Sequence, residues 1–232
     1  MKVIFASSKG SQYRYFNTLS KGLDCKAEVV TLNPCWGGQL WNSGLQELSV
    51  ASGIDFHIRR KKAKTSFIAN THWFWGLYRA KSVLRFVWIY LKFVRLFKME
   101  SPDVVGVWNG HRLPEMAITQ AARYSGVKVV YFENGLLPQT TTMDFRGVND
   151  RNSMPRNAAF YNQYYANHGF ESLKAHSLEV RLPHKNKLNG SDFGVDELPS
   201  EFIFVPFQVG FDSQVLVNSN WIQSMDEFYE VL

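Results

Sequence analysis

The chain has 232 residues, 45% of them hydrophobic and 15% aromatic, with a formal net charge of +6 and a pI near 9.3. That much apolar material excludes a disordered chain, and the length suits one large domain or one and a half ordinary ones. The basic balance points to anionic partners, whether nucleotides, acidic glycans, phospholipid surfaces or nucleic acid, without choosing among them.

The two cysteines, Cys25 and Cys35, form no CxxC pair, which fits a reducing compartment. No long apolar stretch follows Met1, as a signal peptide would require. A cytoplasmic location is therefore expected.

In chain order, "KVIFASS" reads as a first buried strand and "SQYRYFNTLSKGL" as a helix. "KAEVVTL" is a second strand, and "NPCWGGQLWNSG" a loop or loop plus helix. "HIRRKKAKTSF" carries five lysines and arginines between Arg59 and Lys64 and reads as a solvated basic loop or edge strand.

Residues 72–98 form one long helical segment, interrupted by Arg79, Lys81, Arg85, Lys92, Arg95 and Lys98. A bilayer-spanning helix tolerates few such charges. At about 100° per residue, Lys81, Arg85, Lys92 and Arg95 share one narrow face. This is either a core helix with a solvated basic stripe or a helix resting on an anionic membrane surface.

"PDVVGVWNG" is a strand, "RLPEMAITQAARYSG" a helix and "VKVVYFENG" another strand. Such alternation indicates an α/β doubly wound sheet of Rossmann-like type. "NAAFYNQYYANHG" is a helix, residues 171–200 a linker, "EFIFVPFQVG" a buried strand and "NSNWIQSMDEFYEVL" a helix. The expected organisation is an N-terminal α/β domain over 1–170, the linker, and the beginning of a second domain over 201–232.

Phosphate-binding glycine motifs, histidine metal spacings and the GxSxG elbow are all absent from the sequence. Nothing in it calls for a metal or a resident cofactor, and no RNA-binding signature supports a nucleic-acid partner.

What stands out is the polar stretch from Tyr131 to Arg156, which has almost no periodicity and begins at the carboxyl end of a strand, the edge where open α/β sheets bind ligands. Glu133 precedes the turn pair Asn134-Gly135, and Asp144 follows eleven residues after it. Two carboxylates on one loop suit acid/base or covalent chemistry at a sugar carbon. Equally, one could cap a turn while the other pairs with Arg146 or Arg151. Asn109, His111 and Arg112, in "WNGHRLPE", fall at the same edge.

"FENGLLP", then Asp144, then "RGVNDRNSMPRNAAFY" together resemble the capsule polysaccharide biosynthesis family, which includes bacterial β-Kdo transferases of capsule and lipopolysaccharide assembly. "FVPFQVGFDSQV" with Ser219 is similar to the opening of that family's second domain. The resemblance runs from about Val104 to Ser219.

It implies a GT-B-type glycosyltransferase with two Rossmann-like domains facing a cleft. The donor would be a CMP-activated Kdo or related sugar, and the acceptor a glycan or lipid-linked glycan. Asp144 matches the family's catalytic aspartate and Glu133 the acid of its Glu-x-Gly element. Asn109, His111, Arg112, Asn134, Arg146, Asn149, Arg151 and Arg156 are the expected substrate-binding residues, with the arginines suited to the sugar carboxylate. Gln208, Asp212, Ser213, Gln214 and Ser219 match the donor loop.

The family continues with a His-Pro element and further nucleotide contacts that do not occur before Leu232. The donor domain is therefore expected to be incomplete, and a non-catalytic polysaccharide-assembly binding module is the alternative. The basic aromatic helix would place the protein peripherally on the inner face of the cytoplasmic membrane.

Overall fold

The computed structural model describes residues 1–7, 10–32, 51–65, 71–135, 140–169, 201, 203, 205–210, 212, 215, 219, 221–222 and 224–232. In chain order the elements are β1 (Lys2–Ser7), α1 (Ser11–Lys21), β2 (Lys26–Thr31), α2 (Ala51–Lys64), α3 (His72–Glu100) and β3 (Val104–Trp108). They continue with α4 (Glu115–Tyr124), β4 (Lys128–Asn134), β5 (Thr141–Asp144), a 3₁₀ turn (Asn149–Arg151), α5 (Ala158–His168) and α6 (Met225–Val231). Residues Met1–Ser153 and Gln208–Leu232 form one compact unit, and Met154–Phe207 another.

The sheet order is β2-β1-β3-β4-β5. The first four strands are parallel, and β5 runs antiparallel to β4. The expected α/β sheet is therefore present, mostly parallel and consistent with a Rossmann-like fold.

Strand side chains alternate between faces, and here each face has its own cluster. Ile4, Ala6, Val105, Val107 and Tyr131 pack with α3 and α4, among them Phe86, Phe93, Ile118 and Ala121. Val3, Phe5, Val130 and Phe132 pack with Phe16 of α1. Phe5 stacks on Phe16 at 4.9 Å between ring centres, and Phe132 meets Phe16 edge-on at 5.1 Å. Gly106 makes room for this ring cluster, since a Cβ there would stand 2.5 Å from the Phe5 ring. Full burial of each such side chain contributes roughly 1.5–3 kcal/mol.

Three expectations are corrected. The basic segment expected as loop or edge strand belongs to α2, whose Ile54 and Ile58 join the core beside α3. His57 Nε2 meets the Tyr78 hydroxyl at 3.0 Å, and the Arg79 guanidinium donates to Asp55 at 2.5 Å, pinning α2 against α3. The buried strand expected over 201–210 does not occur among the described residues there, and Ile203 is 88% exposed. The terminal helix is shorter than expected, because Ser224 caps it by accepting from the Glu227 N–H at 3.0 Å. The linker expected over 171–200 lies outside the described residues.

The long helix is confirmed as α3. Its C-terminal half is core, with Phe86, Ile89, Tyr90, Leu91, Phe93, Val94 and Phe97 buried. Lys92, one of the four cations of the expected stripe, is half-buried. Its ammonium donates to the Thr31 carbonyl at 3.2 Å and lies 5.7 Å from the centre of the Trp88 ring. No described helix is long and apolar enough to cross a membrane.

Candidate functional site

In an open sheet of order 2-1-3-4-5, connections run in opposite directions from β1 and β3. The crevice at their carboxyl ends is the usual ligand position. The β3 end is built tightly. Asn109 is buried with φ of +65°, and Gly110 follows with φ of +78°. A Cβ on Gly110 would lie 2.5 Å from the Tyr131 ring, so both backbone and space call for glycine. The Asn109 N–H donates to the Phe132 carbonyl at 2.7 Å, extending the ladder one residue past β3. Its side-chain amide donates to Glu133 Oε2 at 2.5 Å. Adjacent strand ends are thus tied together by one buried amide.

Glu133 sits at the end of β4, half-exposed. Its Oε1 accepts the Asn134 N–H at 3.1 Å. A carboxylate offers about four lone-pair sites, so each Glu133 oxygen retains acceptor capacity. His111 lies two residues beyond Asn109, and its N–H reaches Asn109 Oδ1 at 3.4 Å. Burial and the Arg151 charge lower the imidazole pKa, against opposing pulls from Asp150 and Glu133, with Arg112 adding to the lowering. These effects favour the neutral ring, and its buried Nε2 has no hydrogen-bond partner among the described residues. Arg112 and Arg151 therefore both lie within electrostatic reach of His111.

The stretch expected to hold Glu133 and Asp144 on one loop is a hairpin instead. In the β4–β5 register Glu133 faces Thr142 and Tyr131 faces Asp144. Glu133 and Asp144 therefore share a face as diagonal neighbours, with Cβ atoms about 7 Å apart by strand geometry. Asp144 is nevertheless turned to a different task. Its Oδ1 accepts the N–H groups of Arg146 (2.6 Å) and Gly147 (3.1 Å), and its Oδ2 accepts the Ser153 N–H (2.9 Å) and hydroxyl (2.5 Å).

Burial would raise the Asp144 pKa, but the Ser153 hydroxyl and the three N–H donors outweigh it and take it from 3.8 to about 2. All its acceptor sites are engaged in closing the turn that carries Arg146, Asn149 and Arg151. Asn149, at φ of +56°, and Arg151 bound the 3₁₀ turn. Arg146, Asn149 and Arg151 are all exposed.

The remaining expected residues are placed as follows. Asn134 is exposed at the end of β4 and pairs in register with Thr141. Arg156 belongs to the unit Met154–Phe207, where it is exposed just before α5. The Gln208 N–H donates to the Met225 sulfur at 3.3 Å, the Asp212 N–H to the Val209 carbonyl at 2.7 Å, and the Ser219 hydroxyl accepts the Ile222 N–H at 3.2 Å. Asp212 also lies within electrostatic reach of Arg60 on α2. Ser213 and Gln214 lie outside the described residues. Among the described residues no group of acids, histidines and cysteines could hold a metal ion.

Sequence reasoning missed Glu115, at the start of α4. Burial raises its carboxyl from 4.5 to about 7, against its own main-chain hydrogen bond and the charges of Arg112 and Arg85. The neighbouring "HRLPE" contains the only available signal, an acid placed between a proline and the apolar run of a helix.

Comparison with known proteins gives one relative to report. Protein FixF of Sinorhizobium fredii is 36% identical over 131 residues, which is 56% of this chain and 30% of that protein. The chain therefore spans less than a third of the relative's length in the matched region. No family model matches, and no solved structure does.

Proposed function

We propose that the chain is the acceptor-side part of a glycosyltransferase of surface polysaccharide assembly, of the GT-B type, taking Kdo or a related acidic sugar from a CMP-activated donor. The observation that carries this reading is the group at the carboxyl edge of β3 and β4. There Glu133, with acceptor capacity to spare and fixed by Asn109, stands beside His111, whose neutral ring is favoured, and the cations Arg112 and Arg151. An acidic sugar needs cations for its carboxylate, and guanidinium groups match that shape. An acceptor hydroxyl needs a carboxylate or imidazole to take its proton.

The resemblance matches Asp144 to the catalytic acid, but the hydrogen bonds favour a different division of labour. With a pKa near 2 and every oxygen engaged, Asp144 is a weak base at neutral pH and anchors the turn carrying Arg146 and Arg151. Glu133 takes the proton. As the acceptor oxygen bonds to the anomeric carbon, the bond from that carbon to the CMP phosphate oxygen breaks, and its electron pair leaves with CMP. The acceptor proton passes to Glu133. The donor-side residues Gln208, Asp212, Ser213, Gln214 and Ser219 would approach the nucleotide sugar.

The test uses a longer parent protein supplied with CMP-Kdo and candidate glycan acceptors. Glu133→Gln is expected to lower transfer at least about 100-fold with an unchanged melting temperature. Asp144→Asn should lower both transfer and stability. Full turnover by Glu133→Gln would remove Glu133 from the chemistry. Acceptor binding by the parent with no CMP release would instead identify a binding module.

A further inference from the structure

The first half of α3 has an apolar side that is largely exposed. Trp73, Leu77 and Leu84 are 70%, 64% and 71% exposed. Their spacing puts them within about 40° of one another around the helix. Trp75, Ser82, Phe86 and Ile89, on the opposite side, are buried. Large side chains repeated on one exposed helix face differ from the scattered apolar residues that every surface carries.

Charge identifies what covers the stripe. Between Ala51 and Glu100 there are eleven lysines and arginines and two acids, so these residues carry net +9, whereas the whole chain carries +6. Both acids are engaged, Asp55 by Arg79 and Glu100 by Lys2. The rest of the chain is thus net acidic, and the cationic excess is confined to α2, α3 and the segment joining them. The end of α2 lies beside the start of α3, with the Lys62 ammonium 5.4 Å from the centre of the Trp75 ring. That side of α3 is opposite the stripe, whereas Lys81 and Lys98 are exposed and lie within about 60° of the stripe's centre around the helix.

We propose that α3 docks on an anionic bilayer surface, with Trp73, Leu77 and Leu84 entering the headgroup boundary and Lys81 and Lys98 facing lipid phosphates. Tryptophan favours that boundary, where its ring is half in apolar surroundings and its N–H meets water. A helix lying in the interface combines an apolar stripe with cations that anionic lipid attracts. The contact surface differs from the one expected from the sequence, since Lys92 serves the fold and the apolar stripe leads. The proposal stands whether or not the chain takes part in sugar transfer.

The 232-residue chain is tested by co-sedimentation with vesicles of phosphatidylcholine alone or mixed with phosphatidylglycerol. Binding is expected only to the mixed vesicles and should weaken as salt is added. Trp73→Ser/Leu77→Ser/Leu84→Ser should lower apparent affinity at least about tenfold, with far-UV circular dichroism unchanged. Lys81→Gln/Lys98→Gln should also weaken binding.

Brominated lipid gives a second readout that needs only one mild change. It should quench wild-type fluorescence more strongly than that of Trp73→Phe. The proposal is overturned if the wild-type chain ignores phosphatidylglycerol vesicles or if the triple apolar variant binds like wild type. Self-association that the triple variant abolishes, without vesicle binding, would overturn it in favour of a second copy covering the stripe.

Discussion

At the scale of single residues, Asp144 and Glu133 differ in what holds them. Asp144 has its four hydrogen bonds only in the folded chain, so its folded pKa of about 2 lies below the ordinary 3.8. A depressed carboxylate contributes stability that is present above pH 4 and lost as pH falls through 2. Urea midpoints measured across that window should fall steeply for the wild-type chain and less steeply for Asp144→Asn. At neutral pH the same substitution should cost about 1–2 kcal/mol, because an amide offers one acceptor oxygen to donors that met two. Equal pH slopes for the two proteins would show that the turn does not depend on the charge. The sequence disclosed both acids, and left open whether one capped a turn. Which one does so depends on Ser153, nine residues further on, and no local pattern reveals that partner.

At the scale of elements, all four strands with a parallel partner were legible, β1, β3 and β4 as apolar runs bounded by polar turns and β2 by the shorter apolar stretch of "KAEVVTL". Two elements were not. In α2 the residues Ile54, Phe56 and Ile58 are all buried, and their spacing of two imitates a strand. The helix resolves the ambiguity through Ile54 and Ile58, one turn apart on the core side. In β5, Thr141–Asp144 alternates only weakly and is defined by pairing with β4, a long-range relation. Helix α4 supports a prediction of its own. Glu115 lies in its first turn, where the helix dipole favours a negative charge by about 0.3–1 kcal/mol, yet burial outweighs that and sets its pKa near 7. A raised folded pKa gives stability that is complete below pH 4.5 and is lost as pH rises through 7. Glu115→Gln should therefore stabilise the chain at about pH 8 by something on the order of 2 kcal/mol, with little change at about pH 4. Chemical denaturation at the two pH values checks this, and a variant less stable at pH 8 would mean that the ionised carboxylate is compensated by Arg112 and Arg85.

For the whole molecule, the sequence indicated net charge but not its segregation into one hairpin, because folding brings the end of α2 beside the start of α3. Crowding has physical consequences. Burial and the charges of Arg60, Arg112 and Lys61 lower the Lys64 pKa, and burial and Arg112 lower that of Arg60, with Asp212 opposing. Like charges gathered by folding repel more in the folded chain than in the unfolded one, and ions screen exposed pairs beyond about 8–10 Å at moderate salt. Raising sodium chloride from about 10 mM to about 0.3 M should therefore raise the thermal midpoint. The expected gain is about 2–4 °C for each kcal/mol of repulsion relieved. In Lys61→Gln/Lys62→Gln/Lys64→Gln the midpoint at low salt should move toward the high-salt value and the salt slope should flatten. A wild-type midpoint that falls with salt would show that attractive pairs such as Asp55–Arg79 outweigh the repulsion. Retained salt slope in the triple variant would place the repulsion elsewhere, among Arg60 of α2, Arg85 of α3 and Arg112, where an acidic ligand would relieve it instead.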